Sequence, residues 1–248
     1  MSGHSKWASI RRGKAILDNR RGQAFTKIAR EITIAAREGG GGDTDMNFRL
    51  RVAVQKARSE NMPLENIERA IKRAVGGGEG GADEEVTYEG YGPEGSAIIV
   101  QAYTDNRNRT ASEVRNAFTK GGGNLGASGS VAWMFERVGV IQLTIGKNDP
   151  EEMTMNCIDA GAEDVIEGED ELEVYTTFEN WKRVSDALEK AGYEISNSEA
   201  IMKPATQMDL DNAKAVQLIR LIDRLEDLDD VQNVYTNVNI SDEVAEMV

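Results

Sequence analysis

The fold class follows from residues 139–201, which read GVIQLTIGKNDPEEMTMNCIDAGAEDVIEGEDELEVYTTFENWKRVSDALEKAGYEISNSEAI. Short runs rich in β-branched and aromatic residues alternate with segments in which apolar residues recur every three or four positions. This alternation predicts the order βαββαβ, with strands at 139–145, 164–166, 173–177 and 194–201 and helices at 151–160 and 181–191. The order is typical of a ferredoxin-like unit, which we place at residues 136–206.

A second series of elements surrounds this unit. Its predicted members are strands at 86–91, 97–103 and 131–135, a helix that opens at Thr110, a helix at 212–228 and a strand at 231–240. Thr110 is followed three positions later by Glu113, the spacing of a capping box. The upstream part lacks a closing helix and strand, and the C-terminal part supplies them. We therefore expect a discontinuous α/β domain made of residues 82–135 plus 207–248, into which 136–206 is inserted.

The first 78 residues are predicted to be helical. Apolar residues with helical spacing form three stripes: Phe25, Ile28, Ala29, Ile32, Ala35 and Ala36; Leu50, Ala53, Val54 and Ala57; Leu64, Ile67, Ile71, Ala74 and Val75. Pro63 is well placed as the first residue of the third helix, and the glycine-rich run 76–81 (GGGEGG) is a linker signal. We expect an α+β multidomain protein, with an N-terminal all-helical domain (1–78) followed by two ferredoxin-like α/β domains, one inserted into the other.

Charge is divided sharply along the chain. The net charge is −14, yet residues 1–75 hold 16 Lys and Arg against 8 Asp and Glu, a net of +8. Residues 76–248 hold 13 against 35, a net of −22. A basic segment can bind an anionic polymer, while an acidic body keeps the protein soluble and repels non-productive contacts.

Cellular location is constrained by what the sequence lacks. No run approaches the roughly 20 apolar residues of a membrane span, and the opening MSGHSKWASIRRGK has no apolar core of a secretory signal. The single cysteine, Cys157, cannot form an internal disulfide. We expect a cytoplasmic protein without membrane contact. The oligomeric state stays open, and a monomer is compatible with the sequence.

A basic arm near the N-terminus is the main candidate for nucleic-acid binding. Within 27 residues, opposed only by Asp18, it contains His4, Lys6, Trp7, Arg11, Arg12, Lys14, Arg20, Arg21, Lys27 and Arg30. Lysine and arginine neutralise phosphates and release condensed counterions, which gives binding largely independent of base sequence. Trp7 is an aromatic side chain on which a base could stack. The alternative is a solvated basic face whose tryptophan packs on the domain.

The segment DNRNRT at 105–110 is a second candidate. It joins a predicted buried strand to a predicted helix, where backbone N–H groups favour an anion. Arg107 and Arg109 would add charge-assisted hydrogen bonds to a phosphate. The alternative, which we favour for this segment taken alone, is that both arginines pair with the acidic body and fix the turn.

Enzymatic and metal-dependent functions have little support. After loss of Met1, the sequence Ser2-Gly3-His4 could bind copper or nickel through four nitrogens, but a third-position histidine often arises by chance. The acidic stretch 163–173 (EDVIEGEDELE) lacks the spacing of an EF-hand and is better explained as a solvated strand-turn-strand. No Walker loop is present, and no GxGxxG opens a helix after a predicted strand. Cys157 is better placed in a core than as a nucleophile. We expect no enzyme activity, no cofactor and no bound metal.

Three segments of the chain resemble the YebC/PmpR family. They are GHSKWASIRRGKAILDNRRGQAFTKIAREITIAAREGG at 3–40, YEGYGPEGSAIIVQAYTDNRNRT at 88–110 and GGNLGASGSVAWMF at 122–135, and the similarity extends over essentially the whole chain. The mitochondrial translational activator of cytochrome c oxidase belongs to the same group. The resemblance implies three domains, the last inserted into the middle one, and no known catalysis. At Trp133 the family more often has tyrosine.

Two functions are implied. Bacterial members are described as DNA-binding transcriptional regulators, and others associate with ribosomes and assist translation through difficult stretches such as proline runs. The resemblance places nucleic-acid contact in the arm at 4–21. Between residues 4 and 30, Asn19 and Gln23 are the only amide side chains for reading base edges, so phosphate positioning dominates. Trp7 in a basic arm suits irregular RNA, and an acidic body suits basic ribosomal proteins, so both targets, DNA and ribosomal RNA, stay open.

Overall fold

The structure, a computed structural model, describes residues 18–76, 83–241 and 244, with side chains from residue 24 onward. It consists of an N-terminal helical region followed by two units in which helices pack on an antiparallel sheet. The fold class predicted from the sequence is therefore confirmed.

The helical region contains α1 (Asp18–Glu38), α2 (Phe48–Ser59) and α3 (Leu64–Val75). The predicted apolar stripes meet in one core, in which Ile32 and Leu50 are fully buried. Leu64 and Val75, at the two ends of α3, were wrongly assigned to this core and are exposed. Asn47 fixes the corner between α1 and α2: its side-chain oxygen caps α2 by accepting from the Leu50 N–H. Its Nδ2 donates to the backbone oxygens of Ala35 and Gly41, which satisfies carbonyls at the end of α1.

The first sheet contains β1 (Glu84–Tyr91), β2 (Ala97–Thr104), β3 (Asn124–Leu125) and β8 (Val231–Thr236) in the order β3-β1-β2-β8, all antiparallel. Helices α4 (Arg107–Lys120) and α7 (Asn212–Glu226) cover one face, where Ile98 and Val100 are buried. Ala97 and Ile99, on the other face, pack in a separate cluster with Val131 and Tyr235. Strand β2 is a continuous apolar run because both of its faces are covered.

The second sheet lies between the two parts of the first in sequence. It contains β4 (Phe135–Thr144), β5 (Asp164–Glu167), β6 (Glu171–Thr177) and β7 (Ile195–Pro204), and α5 (Pro150–Ala160) and α6 (Trp181–Lys190) are its helices. The strand order β7-β4-β6-β5 is the 4-1-3-2 order of a ferredoxin-like sheet. The acidic stretch 163–173 forms the β5–β6 turn and its flanking strands, as the sequence predicts.

Three local predictions were wrong. Residues 131–135 are not a strand: Ala132–Met134 is a 3-10 turn, and Phe135 already begins β4 of the other sheet. Thr110 does not open its helix, because α4 begins at Arg107 and the side chain of Asn106 caps it by accepting from the Arg109 N–H. The last strand ends at Thr236 rather than at 240.

The helical region packs on the second sheet as well as on the first. The Phe48 ring of α2 meets Trp181 edge-on, with 4.9 Å between ring centroids. Val52 of α2 is buried in the core of the β4–β7 unit. Arg51 lies 2.9 Å from the Asp186 carboxylate of α6 and its guanidinium stacks near Phe48. Helix α2 therefore connects the helical region to the inserted unit.

Candidate nucleic-acid interface

The predicted arm lies mostly outside the described residues. This applies to His4, Lys6, Trp7, Arg11, Arg12 and Lys14. Arg20 and Arg21 belong to the first turn of α1, and their side chains are outside the described set. The arm therefore leads directly into α1, the helix that carries the last two predicted contacts, Lys27 and Arg30.

Lys27 and Arg30 contact the acidic body. The Lys27 ammonium lies 2.5 Å from the backbone oxygen of Glu226, at the end of α7. The Arg30 guanidinium donates to the carboxylate of Asp230 at 2.7 Å and to the backbone oxygen of Asp229 at 3.0 Å. These contacts use only some of the N–H donors of the two side chains. The binding of nucleic acid by Lys27 and Arg30 stays a prediction.

Asp230 is the centre of this contact. Its side chain is 2 % exposed and lies directly before β8. One carboxylate oxygen accepts from Arg30, and the other accepts from Arg109 and Thr110 at 2.7 Å each and lies 3.2 Å from the Thr104 hydroxyl. Burial opposes ionisation of Asp230, but the hydrogen bonds from Arg109, Thr110 and Arg30 outweigh it and hold its pKa below the ordinary value.

The DNRNRT segment forms the first turn of α4 and its cap, and its two arginines are paired. Arg107 Nε lies 2.5 Å from the carboxylate of Glu84. Arg109 bridges Asp105 at 2.9 Å and Asp230 at 2.7 Å. Both arginines therefore pair with acidic residues of the body, as the alternative favoured from the sequence predicts. Phosphate binding at Arg107 and Arg109 stays a prediction.

Other cations of the helical region also face the body. Arg37 lies 3.4 Å from the backbone oxygen of Asp83. Arg49 pairs with Glu85 of β1 at 2.7 Å and lies 3.2 Å from the hydroxyl of Tyr103. Part of the positive charge found in residues 1–75 therefore holds the helices on the sheets. The charge composition of the sequence does not show which of these cations pair with the body and which remain available to a ligand.

A buried carboxylate organises the GASGSVAW segment. Glu89 of β1 is 6 % exposed and accepts the N–H groups of Gly129, Val131 and Ala132 at 2.6–2.8 Å. Burial disfavours its ionised form, yet these three hydrogen bonds hold the pKa of Glu89 below its ordinary value. The loop holds Trp133 with 75 % of its side chain exposed. Sequence reasoning missed Glu89, since nothing local marks a residue whose partners lie about forty positions away.

Cys157 and the acidic side chains are the remaining features that the sequence offers for reactive or metal-binding chemistry. Cys157 is buried in the core beneath β4 and β6, and burial raises the pKa of its thiol to about 11. Among residues 18–76, 83–241 and 244, no group of three His, Cys, Asp or Glu side chains is arranged to hold a metal ion. No helix in the same residues is long and apolar enough to cross a bilayer.

Comparisons with known proteins agree with the resemblance seen in the sequence. The profile of the TACO1/YebC protein N-terminal domain matches residues 5–77, and that of the TACO1/YebC second and third domain matches residues 83–238. A probable transcriptional regulatory protein of Herpetosiphon aurantiacus is 58 % identical over 99 % of this chain and 98 % of that protein. One of the same description from Persephonella marina is 54 % identical over the full length of both.

A solved structure has the same architecture. The crystal structure of a conserved hypothetical protein from Aquifex aeolicus superposes with a TM-score of 0.83 and 47 % identity, covering 92 % of this chain and 94 % of that one. Both profiles, the full-length relatives and this structure agree: the chain belongs to the TACO1/YebC family.

Proposed function

We propose that the protein is a nucleic-acid-binding regulator of gene expression. More specifically, it is a cytoplasmic DNA-binding transcriptional regulator that binds phosphates through the basic segment at 4–21. The observation that carries the proposal is the charge division, +8 in residues 1–75 against −22 in the rest. The names of the relatives from Herpetosiphon aurantiacus and Persephonella marina, both probable transcriptional regulatory proteins, support it.

The acidic body, residues 76–248, directs an approaching polyanion to this basic segment. Four cations of the helical region bind backbone oxygens or carboxylates of the first sheet, its loops and helix α7: Lys27, Arg30, Arg37 and Arg49. The −22 body repels a polyanion, so an approaching strand is steered towards the basic end of the chain. Neutralising phosphates there releases counterions, and the resulting affinity falls steeply with salt.

The proposal is tested by removing the arginines of the arm. Replacing Arg11, Arg12, Arg20 and Arg21 by alanine should weaken binding to DNA at low salt. It should also flatten the slope of log affinity against log salt by about 0.9 for each phosphate that the variant no longer neutralises. A matched control removes four exposed cations of the body instead: Lys120, Lys147, Lys190 and Arg220. An unchanged slope in the arm variant, or an equal change in the control, would reject the arm as the binding element.

A second function, RNA binding on the ribosome, is favoured by one feature of the arm. Its only amide side chains for base edges are Asn19 and Gln23, whereas Trp7 provides a stacking surface for unpaired bases. Crosslinking the protein to nucleic acid in cells and sequencing the recovered fragments separates the two functions. Discrete promoter fragments support the transcriptional one, and peaks in ribosomal RNA support a translation factor that relieves stalling.

A further inference from the structure

A cleft of about 430 Å³ lies beside the helix that carries the arm, in the range of nucleotide-sized sites. Its apolar lining comes from Phe25 of α1 and from Met62 and Ala70 at α3. Arg69 and Arg73 line it as well. A surface that combines an aromatic ring with guanidinium groups is suited to one base and its phosphate.

The arginines of the cleft are available to a ligand. Arg69 and Arg73 lie four residues apart, on one face of α3. Arg69 pairs only with Glu65 of its own helix among the described residues, and both side chains are largely exposed, 70 % and 83 %. Such a pair contributes little and is readily exchanged. Arg73 is exposed and forms no ion pair or hydrogen bond within the described part of the chain.

An acidic wall faces these arginines, and the third arginine of the lining, Arg30, is already paired with Asp230. Asp83 and Asp105 both line the cleft. They are brought together by the β1–β2 register, in which Glu84 lies opposite Thr104, so the two aspartates flank the same end of the strand pair. Asp105 accepts from Arg109. The carboxylate of Asp83 is partly buried and has no partner among the described residues, although its backbone oxygen accepts from Arg37.

We propose that this cleft takes one unpaired nucleotide of a strand held by the arm. Its phosphate lies on Arg69 and Arg73, its base packs against Phe25 and Met62, and Asp83 accepts a hydrogen bond from an amino group of the base. Because a phosphate is repelled by the acidic wall and an exocyclic amino group is attracted to it, the two walls fix the nucleotide's orientation. The inference rests on the proposed function and adds a base preference to it.

The position of the cleft fits a strand that leaves the arm. Arg21 and Phe25 are four residues apart on α1, about 6 Å along the helix axis. This is close to the reach of one nucleotide. A base within a duplex cannot enter the cleft, since its Watson–Crick edge is occupied and its faces are stacked. The cleft therefore selects single-stranded or locally opened nucleic acid.

The base preference is the quantity to measure. Cytosine, adenine and guanine have an exocyclic amino group, and uracil has none, so the full-length protein should bind short oligocytidylates roughly tenfold more tightly than oligouridylates. Asp83→Ala should bring this ratio close to one. Glu60→Ala, which removes an equal charge from an exposed site in the helical region, should change both affinities alike and leave the ratio unchanged. A ratio near one in the unaltered protein would overturn the inference. A preference for cytosine that persists after Asp83→Ala would overturn it as well.

A second pair of variants tests the contact between Arg73 and the phosphate. Arg73→Gln should weaken binding of single strands and lower their salt slope by about 0.7. Lys72→Gln, at an exposed neighbouring position that does not line the cleft, should do less. Ultraviolet crosslinks from cytidine should map to Phe25 or Met62, and crosslinks confined to other segments would overturn the placement. Parallel measurements with oligodeoxycytidylates show whether the strand is RNA or DNA.

Failure of the cleft and failure of the arm give different results. If cleft variants leave the cytosine preference intact while the four-arginine variant weakens duplex binding, the cleft is wrong and the proposed function stands. If the arm variant binds as tightly as the unaltered protein, the arm is wrong, whatever the base preference shows.

Discussion

Replacing Asp230 by asparagine tests how the helical region is held on the first sheet. Asparagine has nearly the same shape but no charge, and it presents an NH₂ group where one carboxylate oxygen stood. With its remaining oxygen towards Arg109 and Thr110, this NH₂ group faces the Arg30 guanidinium, donor against donor. The substitution therefore removes the Arg30–Asp230 bond between α1 and the body and weakens the bond from Asp230 to α4.

The expected loss is about 2–4 kcal/mol. A hydrogen bond to a charged group contributes roughly 1.5–3 kcal/mol, and Asp230 accepts two from arginines. The arginine side chains are 23 % and 41 % exposed, so solvent screening reduces the sum. For a chain of this size the loss corresponds to a fall in Tm of roughly 5–15 °C.

The loss should also depend on pH. The folded-state pKa of Asp230 lies below its ordinary value of 3.8, so its stabilisation is complete above that pH and disappears as pH falls through the folded pKa. Thermal unfolding followed by circular dichroism should separate the variant from the unaltered protein at pH 7 and bring them together in strong acid. Asp229→Asn, an exposed neighbour with the same change of charge, is the control. If both variants melt alike at pH 7, our reasoning about Asp230 is refuted.

Three further predictions concern residues buried in the two sheet-and-helix units. Glu89→Gln should lower the free energy of unfolding, measured by urea titration, by roughly 2–3 kcal/mol, because three N–H groups share its carboxylate. The control Glu136→Gln, on the exposed surface, should change it little. Gly139→Ala should cost about 1–3 kcal/mol by urea unfolding, since a β-carbon there collides with the Trp181 ring, and an unchanged midpoint would contradict the packing. Cys157 should react with a thiol reagent at pH 8 far more slowly in the native than in the unfolded protein, because burial raises its pKa to about 11; equal rates would disprove its burial.

Helices and strands could be predicted where the sequence pattern is local. The helical spacing in α3 is a consequence of one buried face, and the apolar run in β4 of two covered faces, and both elements are present. Residues 131–135 have a strand-like composition, but Glu89 draws the N–H groups of Val131 and Ala132 into a turn. A contact across about forty residues overrides local propensity, and no window of sequence reveals it.

The candidate interface was predictable only in part. Clustered cations marked the region, and the resemblance to the family, now confirmed, marked the same region. The pairing of Arg30 with the body depends on Asp230, which stands in the unremarkable acidic sequence DLDDVQ. The partnership of Arg30 and Asp230 spans 200 positions, so it exists only once the chain has folded.

The position of β8 has a consequence for biosynthesis. A ribosome makes β1 and β2 early, then the whole β4–β7 unit, and only afterwards the strand that borders β2. During that interval β2 exposes an unpaired apolar edge, a hazard for aggregation that a nascent chain must survive. The strands of the inserted unit are contiguous in sequence, so they can pair with one another in the meantime. Since Asp230 emerges just ahead of β8, its bonds to Arg30 and Arg109 can form only at the end of synthesis. A prematurely released fragment would hold its N-terminal helices on the body by the earlier contacts alone, such as that of Arg49 with Glu85.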